Sequence, residues 1–310
     1  MKVTPIHRET VIENKRCVMI LGFFDGVHRG HQTVIETGVA LARKRHLPAV
    51  VMTFNHHPSI VFHKQPPFKY LSAIPYKWQY LSNLGVDEVQ VVDFTSQFAS
   101  LSPQDFVQHY IINAGAEIVV TGFDYTYGRG KTATADQLSF YANQQFEVVI
   151  VDALEENDEK ISSTYIRQAL KVGDIEKANQ ALGYLYETHG IVIHGDARGR
   201  TLGFPTANIQ MQHDELLPGL GVYVVEIKIG NQWYQGMASI GHNITFGDHF
   251  NLSVEINILN FDEEIYGEAV AIRWHHRLRS EKKFDNVNDL IRRLEEDKIA
   301  TASYFEEIKI

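Results

Sequence analysis

The sequence predicts two folded domains: an α/β domain with a doubly wound parallel sheet over residues 1–184, and a small antiparallel β-barrel with a C-terminal helix over residues 185–310. Three observations support this prediction. The length of 310 residues exceeds the usual size of one hydrophobic core. In the first part, apolar strand-like runs alternate with helix-like segments, which indicates a parallel sheet with helices on both faces. After Tyr184 the pattern changes to short strands and turns, which is typical of a closed barrel.

Each element follows from the apolar pattern in chain order. Predicted strands of the first domain cover Val18–Phe24, Ala49–Phe54, Glu88–Val92, Ile118–Thr121 and Glu147–Val151. Helices between them cover Gln32–Lys44, Tyr76–Leu84, Pro103–Ile112 and Thr134–Asn143. Predicted strands of the second domain cover Thr188–His194, Gly221–Ile229, Asn231–Met237, Leu252–Leu259 and Glu268–Trp274, and a closing helix runs from Val287 to about Glu296. Because ligands bind at the carboxyl ends of parallel strands, we expect a site there.

Composition argues against several classes of protein. Hydrophobic residues make up 44% of the chain, and no apolar run approaches the ~20 residues that span a bilayer. The N-terminal residues lack a signal peptide's apolar core, so we expect a cytoplasmic protein without a membrane partner. The single cysteine, Cys17, agrees with a reducing compartment. A net charge of −9 argues against a nucleic-acid partner. Small molecules are the expected partners, and the sequence does not indicate an oligomeric state.

The segment Val18–His31 carries the strongest functional signal. An apolar strand runs through glycines into His28 and His31, which lie one helical turn apart, so both imidazoles can donate to one phosphoryl group. Two such histidines alone fit a solvated first turn equally well. Their surroundings favour a nucleotide cradle, in which glycines let the backbone approach a phosphate at a helix N-terminus. The candidate phosphate-binding residues here are Gly22, Phe23, Asp25, Gly26 and Gly30.

Two further loops follow predicted strands of the first domain. Thr53–Pro58 can reach the same cleft, and its histidines His56 and His57, with His63, are a weaker candidate for a metal site than for phosphate contact or a solvated loop. Thr121–Gly128 contains glycines and aromatic residues that suit a wall around a planar ring, and an aromatic-rich turn is the less favoured alternative. Its candidate ring-binding residues are Asp124, Tyr125 and Tyr127.

The segment Ile161–Arg167 is predicted to begin a helix near the same site. Ser162, Ser163 or Thr164 can cap this helix, and Arg167 lies about one turn in, where its guanidinium can hold phosphate oxygens. Such a cap is common by itself. Combined with the histidine turn in one α/β domain, it completes a predicted triphosphate site.

With these motifs, the first domain resembles the Rossmann-like nucleotidyltransferase half of the bacterial bifunctional riboflavin kinase/FMN adenylyltransferase family, often called FAD synthetases. Four motifs carry the resemblance in order along the chain: Gly22–Gln32, Thr53–Pro58, Thr121–Gly128 and Ile161–Arg167. The resemblance implies that the third motif faces the flavin and that the fourth faces ATP. It extends through the second domain.

A glycine-rich segment in the second domain precedes Pro-Thr-Ala-Asn at residues 205–208. Backbone N–H groups of such a flap can cover a polyphosphate, and we name Gly195, Arg198, Gly199 and Gly203 as its phosphate-binding candidates. Thr206 and Asn208 offer hard oxygen ligands suited to Mg²⁺, although Pro-Thr-Ala-Asn alone fits a simple turn as well. The segment is similar to the riboflavin kinase signature, in which the threonine and asparagine hold the metal and ATP phosphates.

Glu255 lies in an alternating run, where geometry permits a solvated strand residue as readily as a base. The family resemblance implies that this glutamate accepts the proton of the ribityl 5′-hydroxyl as the hydroxyl attacks the γ-phosphate of ATP. Leu278–Phe284 is similar to a family segment near the flavin, so Arg279 and Phe284 are flavin-binding candidates, although a basic helix entry also fits.

The resemblance implies a bifunctional enzyme of FAD biosynthesis. The second domain would convert riboflavin and MgATP to FMN and ADP, and the first would join AMP from a second ATP to FMN, releasing pyrophosphate. His28, His31 and Arg167 would stabilise charge in the second step. Two alternatives stay open: a monofunctional FMN adenylyltransferase with a degenerate kinase domain, and a flavin-binding sensor without catalysis. The first is suggested by Asn243 and Ile244, which stand where the family commonly has arginine and proline.

Overall fold

The computed structural model describes residues 1–62, 68–129, 132–156, 159–195, 199, 202–243, 251–284 and 286–308. The chain forms two compact units, Met1–Ser163 and Thr164–Ile310. The sequence-based boundary follows Tyr184, and two helices lie between these two positions.

A six-stranded parallel sheet forms the centre of the first unit. Its strands are β1 (Lys2–Ile6), β2 (Cys17–Leu21), β3 (Ala49–Phe54), β4 (Glu88–Val92), β5 (Ala116–Gly122) and β8 (Glu147–Val151), in the spatial order β1-β4-β3-β2-β5-β8. Two small antiparallel pairs join β6 (Thr126–Tyr127) to β7 (Ala133–Thr134) and β9 (Glu155–Glu156) to β10 (Glu159–Lys160). The order reverses at β2, so the carboxyl ends of β3, β2 and β5 lie side by side at one edge.

Helices cover both faces of this sheet, which confirms the doubly wound prediction. They are α1 (Arg29–Arg45), α2 (Ser59–Phe62), α3 (Ile74–Asn83), α4 (Pro103–Phe106) with a π-helix over Val107–Ile112, and α5 (Leu138–Ala142). Short 3₁₀ turns cover Asp25–Val27, Phe98–Ser100 and Ala135–Gln137. Val34 and Leu81 of α1 and α3 pack in one core, while Phe106 and Leu138 of α4 and α5 pack in the other. The runs of β2 and β3 are buried throughout because both faces of the sheet are covered.

The predicted elements differ from the structure where local sequence is a weak guide. Strand Lys2–Ile6 was not predicted, since it lies at the sheet edge, is mostly exposed and contains a proline. The strand predicted to end at Phe24 ends at Leu21, because the chain turns sharply after it. The helix predicted over Thr134–Asn143 is a 3₁₀ turn followed by the short α5.

The second unit contains two helices and a closed six-stranded antiparallel barrel, as predicted, and ends in a long helix. The helices are α6 (Ser163–Val172), which spans the boundary of the units, α7 (Ile175–Leu182) and the C-terminal α8 (Val287–Glu307). The barrel order is β11-β12-β15-β14-β13-β16, and β16 pairs with β11 to close it. The strands are β11 (Tyr186–Ile193), β12 (Ala207–Met211), β13 (Gly221–Ile229), β14 (Gln232–Asn243), β15 (Asn251–Ile258) and β16 (Ala269–Arg279). Strand β12 was not predicted, and α8 extends beyond its predicted end.

A buried ion pair fastens α8 to the barrel. The Arg279 guanidinium at the end of β16 donates to both carboxylate oxygens of Asp297, with an Nη2–Oδ2 distance of 2.7 Å. The Asp297 side chain is 2% exposed. A carboxylate buried this deeply is retained only when charged hydrogen bonds offset its desolvation.

Asp297→Ala should therefore destabilise the second unit by about 3 kcal/mol, since it leaves the Arg279 charge largely buried without its partner. Glu296→Ala, which removes only an exposed pair with Arg293, should change stability by less than about 1 kcal/mol. Urea unfolding followed by circular dichroism measures both. Equal stability of the two variants would contradict this role for Asp297.

A second buried charge cluster surrounds His189 in β11. Its Nδ1 lies 3.0 Å from Glu215 Oε1 and its Nε2 lies 3.1 Å from Glu187 Oε1. Glu187 also accepts from Arg273 Nε at 3.0 Å. Burial lowers the pKa of His189, but hydrogen bonds and charge from Glu187 and Glu215 outweigh burial and raise this pKa above its usual value.

The stability of the barrel should depend on the charge of His189. A raised folded-state pKa contributes stability that is complete below the unfolded-state pKa of about 6.5 and is lost as pH rises through the folded-state value. The stability difference between the wild type and His189→Gln should therefore shrink from pH 6 to pH 8.5. Denaturation of both proteins across this range provides the measurement, and a constant difference would contradict the expectation.

Candidate active sites

A strained turn follows β2 at the sheet edge where β3, β2 and β5 end. Phe24, Gly26 and Val27 all have positive φ, at 55°, 77° and 37°. Glycine adopts such angles freely, whereas phenylalanine and valine do so at a cost. The Phe24 ring folds back over Gly22, where an added Cβ would lie 2.5 Å from it. Gly22 is thus required for packing, whatever its contact with a ligand.

Polar contacts from distant segments hold this turn. Asp25 Oδ1 accepts the N–H of Leu71 at 3.0 Å, and the N–H of Gly26 donates to Ser72 Oγ at 3.1 Å. Ser163 Oγ donates to the Asp25 carbonyl oxygen at 3.2 Å. The predicted phosphate residue Asp25 therefore fixes the backbone through its carboxylate, and the Ile161–Arg167 motif begins beside the turn, as expected.

The two histidines lie together at the N-terminus of α1. His28 is the N-cap residue, and its Nδ1 accepts the N–H of His31 at 3.3 Å. The imidazoles stack with centroids 3.6 Å apart. Because Nδ1 of His28 accepts, its Nε2 carries the proton and remains a donor. His31 Nδ1 is buried and has no hydrogen-bond partner within the described part of the chain.

The lowered pKa values of His28 and His31 keep both imidazoles neutral at pH 7. Burial lowers the pKa of His28 to about 4. Burial, followed by the charges of His28, Lys77 and Lys160, holds the pKa of His31 well below its usual range. Gly30, between them, allows this packing, since a Cβ there would lie 3.3 Å from the His28 ring. The pair presents N–H donors and a helix N-terminus, which together suit an anionic phosphoryl group.

The loop after β3 joins the site through aromatic contacts. The His57 ring stacks on Phe68 at 3.8 Å and meets the edge of Phe23 at 5.0 Å, and its Nδ1 lies 2.6 Å from Ser59 Oγ. Among the described residues, no group of three or more His, Cys, Asp or Glu side chains could hold a metal ion, and His63 lies outside them. The His57 ring thus packs against the rings of Phe23 and Phe68.

The loop after β5 contains the predicted flavin-binding residues. Asp124 Oδ2 accepts from Lys160 Nζ at 2.6 Å, so these two side chains form an ion pair near the surface. The rings of Tyr125 and Tyr127 stack at 6.1 Å, and burial raises the pKa of both hydroxyls. The Tyr127 hydroxyl is buried with no hydrogen-bond partner in the described residues.

The remaining residues of the ATP-side motif lie at the beginning of α6. Ser162 precedes the helix, while Ser163, Thr164 and Arg167 lie in its first turns. Arg167 belongs to the second compact unit. Its predicted contact with phosphate remains a hypothesis.

In the barrel, β-sheet register brings together the predicted metal ligands and the predicted base. Glu255 of β15 pairs with Asn208 of β12 on one side and with Ser239 of β14 on the other. Directly paired residues project from the same face. Thr206 Oγ1 donates to Glu255 Oε2 at 3.2 Å. Because this hydroxyl gives its proton to Glu255, its lone pairs remain available to a hard cation, and Asn208 supplies an amide oxygen nearby.

Three of the four flap candidates, Gly195, Gly199 and Gly203, lie within the described residues. Gly195 packs against Asn208, and a Cβ there would lie 2.1 Å from the carboxamide nitrogen. A Cβ at Gly199 would lie 2.3 Å from the Phe204 carbonyl oxygen, and Phe204 N–H donates to the Gly199 carbonyl at 2.9 Å. Gly203 has φ 84°. Arg198, Ile244 and the side chain of Asn243 lie outside the described residues.

The flavin-side candidates of the barrel lie at the end of β16. Arg279 uses its Nε and Nη2 atoms to hold Asp297, and Phe284 lies 5.9 Å from its guanidinium. Arg279 therefore lies in a strand and anchors α8, which the interpretation as a basic helix entry did not anticipate.

Three supporting residues escaped the sequence analysis. Ser72 and Lys77 contact the turn after β2, since Lys77 Nζ donates to the Phe23 carbonyl at 2.9 Å. Asn257 Nδ2 donates to the Pro205 carbonyl at 2.8 Å and fixes the Pro-Thr-Ala-Asn turn. Asn257 carried a weak signal, because it shares a strand face with Glu255. Ser72, in the bend before α3, and Lys77, within α3, carried no such signal.

Comparison with known families agrees with this geometry. Residues 11–165 match the family model described as FAD synthetase, and residues 182–305 match the model described as riboflavin kinase. Proteins named bifunctional riboflavin kinase/FMN adenylyltransferase are 48% identical in Listeria monocytogenes, over 94% of this chain and 93% of the relative, and 40% identical in Bacillus subtilis, over 99% and 98%.

A similar fold is found in a crystal structure described as a macrolide-efflux protein from Streptococcus pneumoniae, with a TM-score of 0.90 and 41% identity over 97% of this chain and 99% of that one. Within the described residues, no helix is long and apolar enough to cross a membrane. The histidine turn, the Thr206–Asn208–Glu255 group and two family models covering the chain in order lead to one conclusion. The chain belongs to the bifunctional riboflavin kinase/FMN adenylyltransferase family.

Proposed function

We propose that residues 1–184 catalyse adenylyl transfer to FMN and that residues 185–310 phosphorylate riboflavin, each with its own ATP. The observation that supports this assignment is that the chain carries two chemically different groups of side chains, neutral imidazoles at a helix N-terminus and a hydroxyl–carboxylate pair on the barrel. The cytoplasmic location expected from the sequence stays a prediction.

In adenylyl transfer, an oxygen of the FMN phosphate attacks the α-phosphorus of ATP in line, a new P–O bond forms, and pyrophosphate leaves. The transition state gathers negative charge on the phosphoryl oxygens. His28 donates through Nε2–H, and the first N–H groups of α1 add their positive field. His31 is held beside it by ring stacking, and Arg167 would bind the departing phosphates. No proton needs to leave the attacking phosphate oxygen, which suits a site built from neutral donors.

The stacked rings of Tyr125 and Tyr127, after β5, would form a wall against the isoalloxazine ring of FMN. Burial of these rings next to the parallel sheet keeps them in one orientation. Phe284 and Arg279 would take the corresponding role in the barrel.

In the kinase reaction, the 5′-hydroxyl of riboflavin attacks the γ-phosphorus of ATP, its proton passes to the Glu255 carboxylate, and ADP leaves. Thr206 and Asn208 fit Mg²⁺ because both supply hard oxygen atoms on the face that carries Glu255. When bound, Mg²⁺ would neutralise charge on the ATP phosphates. The Thr206 hydrogen bond holds the Glu255 carboxylate in place, and the flap glycines would cover the phosphates with backbone N–H groups.

The first site is tested by His28→Asn. Asparagine keeps an N-cap acceptor for the His31 N–H but removes the Nε2 donor, so the helix should persist. We expect kcat for FAD formation from FMN to fall about 10²–10³-fold while FMN formation from riboflavin is unchanged. Chromatographic assay of both products measures this, and equal loss of both activities in a folded variant would contradict separate sites.

The second site is tested by Glu255→Gln, which preserves an acceptor for Thr206 but removes the base. FMN formation from riboflavin should fall about 10²–10⁴-fold, with FAD formation from supplied FMN retained. Glu264→Gln, at an exposed position of the loop before β16, is the matched control and should keep both activities. A wild-type protein that makes FAD from FMN but no FMN from riboflavin would favour the monofunctional alternative, and flavin binding without turnover would favour the sensor.

A further inference from the structure

Lys77 of α3 is a buried cation that forms no ion pair with a carboxylate among the described residues. The residue is 1% exposed, and its Nζ donates to the Phe23 carbonyl at 2.9 Å. The ammonium also lies 4.4 Å from the centroid of the Phe23 ring and 5.2 Å from that of Trp78. No ion pair in the described part of the chain includes Lys77. Fully buried lysines are rare unless they are paired, because desolvation of the charge is costly.

Its position is directly behind the adenylyl-transfer site. Phe23 immediately precedes the strained turn, and α3 packs against that turn. The charge of Lys77 lowers the pKa of His31, so the ammonium acts on the same imidazole that faces the predicted phosphate. Asp25 provides some compensating charge to Lys77, although the Asp25 carboxylate also accepts the N–H of Leu71.

A purely structural role does not account for the charge. The Phe23 carbonyl already accepts the Thr53 hydroxyl at 3.0 Å, so its hydrogen-bonding needs are met without Lys77. An apolar side chain of similar length would fill the space without the desolvation penalty. A buried cation becomes favourable when an anion arrives near it, since the low-dielectric surroundings strengthen their attraction.

We propose that Lys77 is a positioning residue of the adenylyl-transfer site, which holds the turn through the Phe23 carbonyl and supplies a fixed positive charge to the triphosphate and the pyrophosphate leaving group. This inference rests on the proposed assignment of FAD formation to the first domain. Lys77 acts without touching substrate, through the turn and through its field on His31. The ammonium is preorganised, because packing between Phe23 and Trp78 leaves it little freedom to move as charge develops.

The test compares Lys77→Met, which keeps the length and removes the charge, with Lys77→Arg, which keeps the charge. We expect Lys77→Met to lower kcat for FAD formation about 10–100-fold and to weaken inhibition by added inorganic pyrophosphate at least about tenfold. Lys77→Arg should retain most of the wild-type kcat for FAD formation and most of the inhibition by pyrophosphate. FMN formation from riboflavin should be unchanged in each variant, and Lys44→Met, at an exposed position of α1, serves as the control.

The pH dependence of kcat/KM for ATP in FAD formation gives a readout that a structural role would not move. Burial lowers the pKa of Lys77 to about 8, opposed by Asp25. Among the described residues, the other ionisable groups acting at the turn are His28, His31, Asp124 and Lys160. The wild-type profile should fall above about pH 8, as Lys77 loses its proton, and Lys77→Arg should lack this fall.

Different outcomes would overturn the role of Lys77 and the assignment of FAD formation to the first domain. A folded Lys77→Met protein with wild-type kcat and wild-type pyrophosphate inhibition would overturn the role of Lys77. So would equal losses in Lys77→Met and Lys77→Arg that follow their melting temperatures. Failure of the wild type to make FAD from FMN would instead overturn the assignment of the first domain.

Discussion

The proposed adenylyl-transfer site depends on a backbone turn that is unfavourable in isolation. Phe24 and Val27 occupy left-handed conformations that cost of order 1–3 kcal/mol each. Hydrogen bonds donated by Leu71 and Ser163, and one accepted by Ser72, hold the turn, so segments distant in sequence support the conformation. The strained turn allows the chain to leave β2 and begin α1 within seven residues, Gly22 to His28. This short connection brings both imidazoles to the free N–H groups of the helix.

The two proposed sites offer different chemical groups to a phosphate. In the α/β domain, burial keeps the histidines neutral, and donation comes from imidazole and backbone N–H groups without a carboxylate base. In the barrel, a carboxylate, a hydroxyl and an amide oxygen share one strand face, which suits a hydroxyl nucleophile that must lose a proton. A net charge of −9 is compatible with both, because the local donors govern phosphate binding.

The sequence predicted strands correctly where the apolar pattern reflects burial. It missed elements and supporting residues whose positions depend on tertiary contacts. The runs Ala49–Phe54, Glu88–Val92 and Gly221–Ile229 were predicted to the residue, since their apolar character follows directly from a covered sheet or barrel. The edge strand β1 depends on its neighbour β4 and carries little apolar signal. The histidine turn and the Pro-Thr-Ala-Asn segment were recognisable as motifs, and Glu255 was identified through the family resemblance. Their supports, Ser72 and Asn257, were not, because ordinary polar residues reveal such contacts only in three dimensions.

The pairing of Asn208 with Glu255 makes the proposed kinase site dependent on strand register. A single-residue deletion within β12 would turn Asn208 to the opposite face of the barrel and separate it from Glu255. Changes in the length of the connection between β12 and β13, by contrast, leave that register intact. The connections of the barrel can therefore vary in length without disturbing the Asn208–Glu255 pair, whereas a register shift of β12 against β15 would break it.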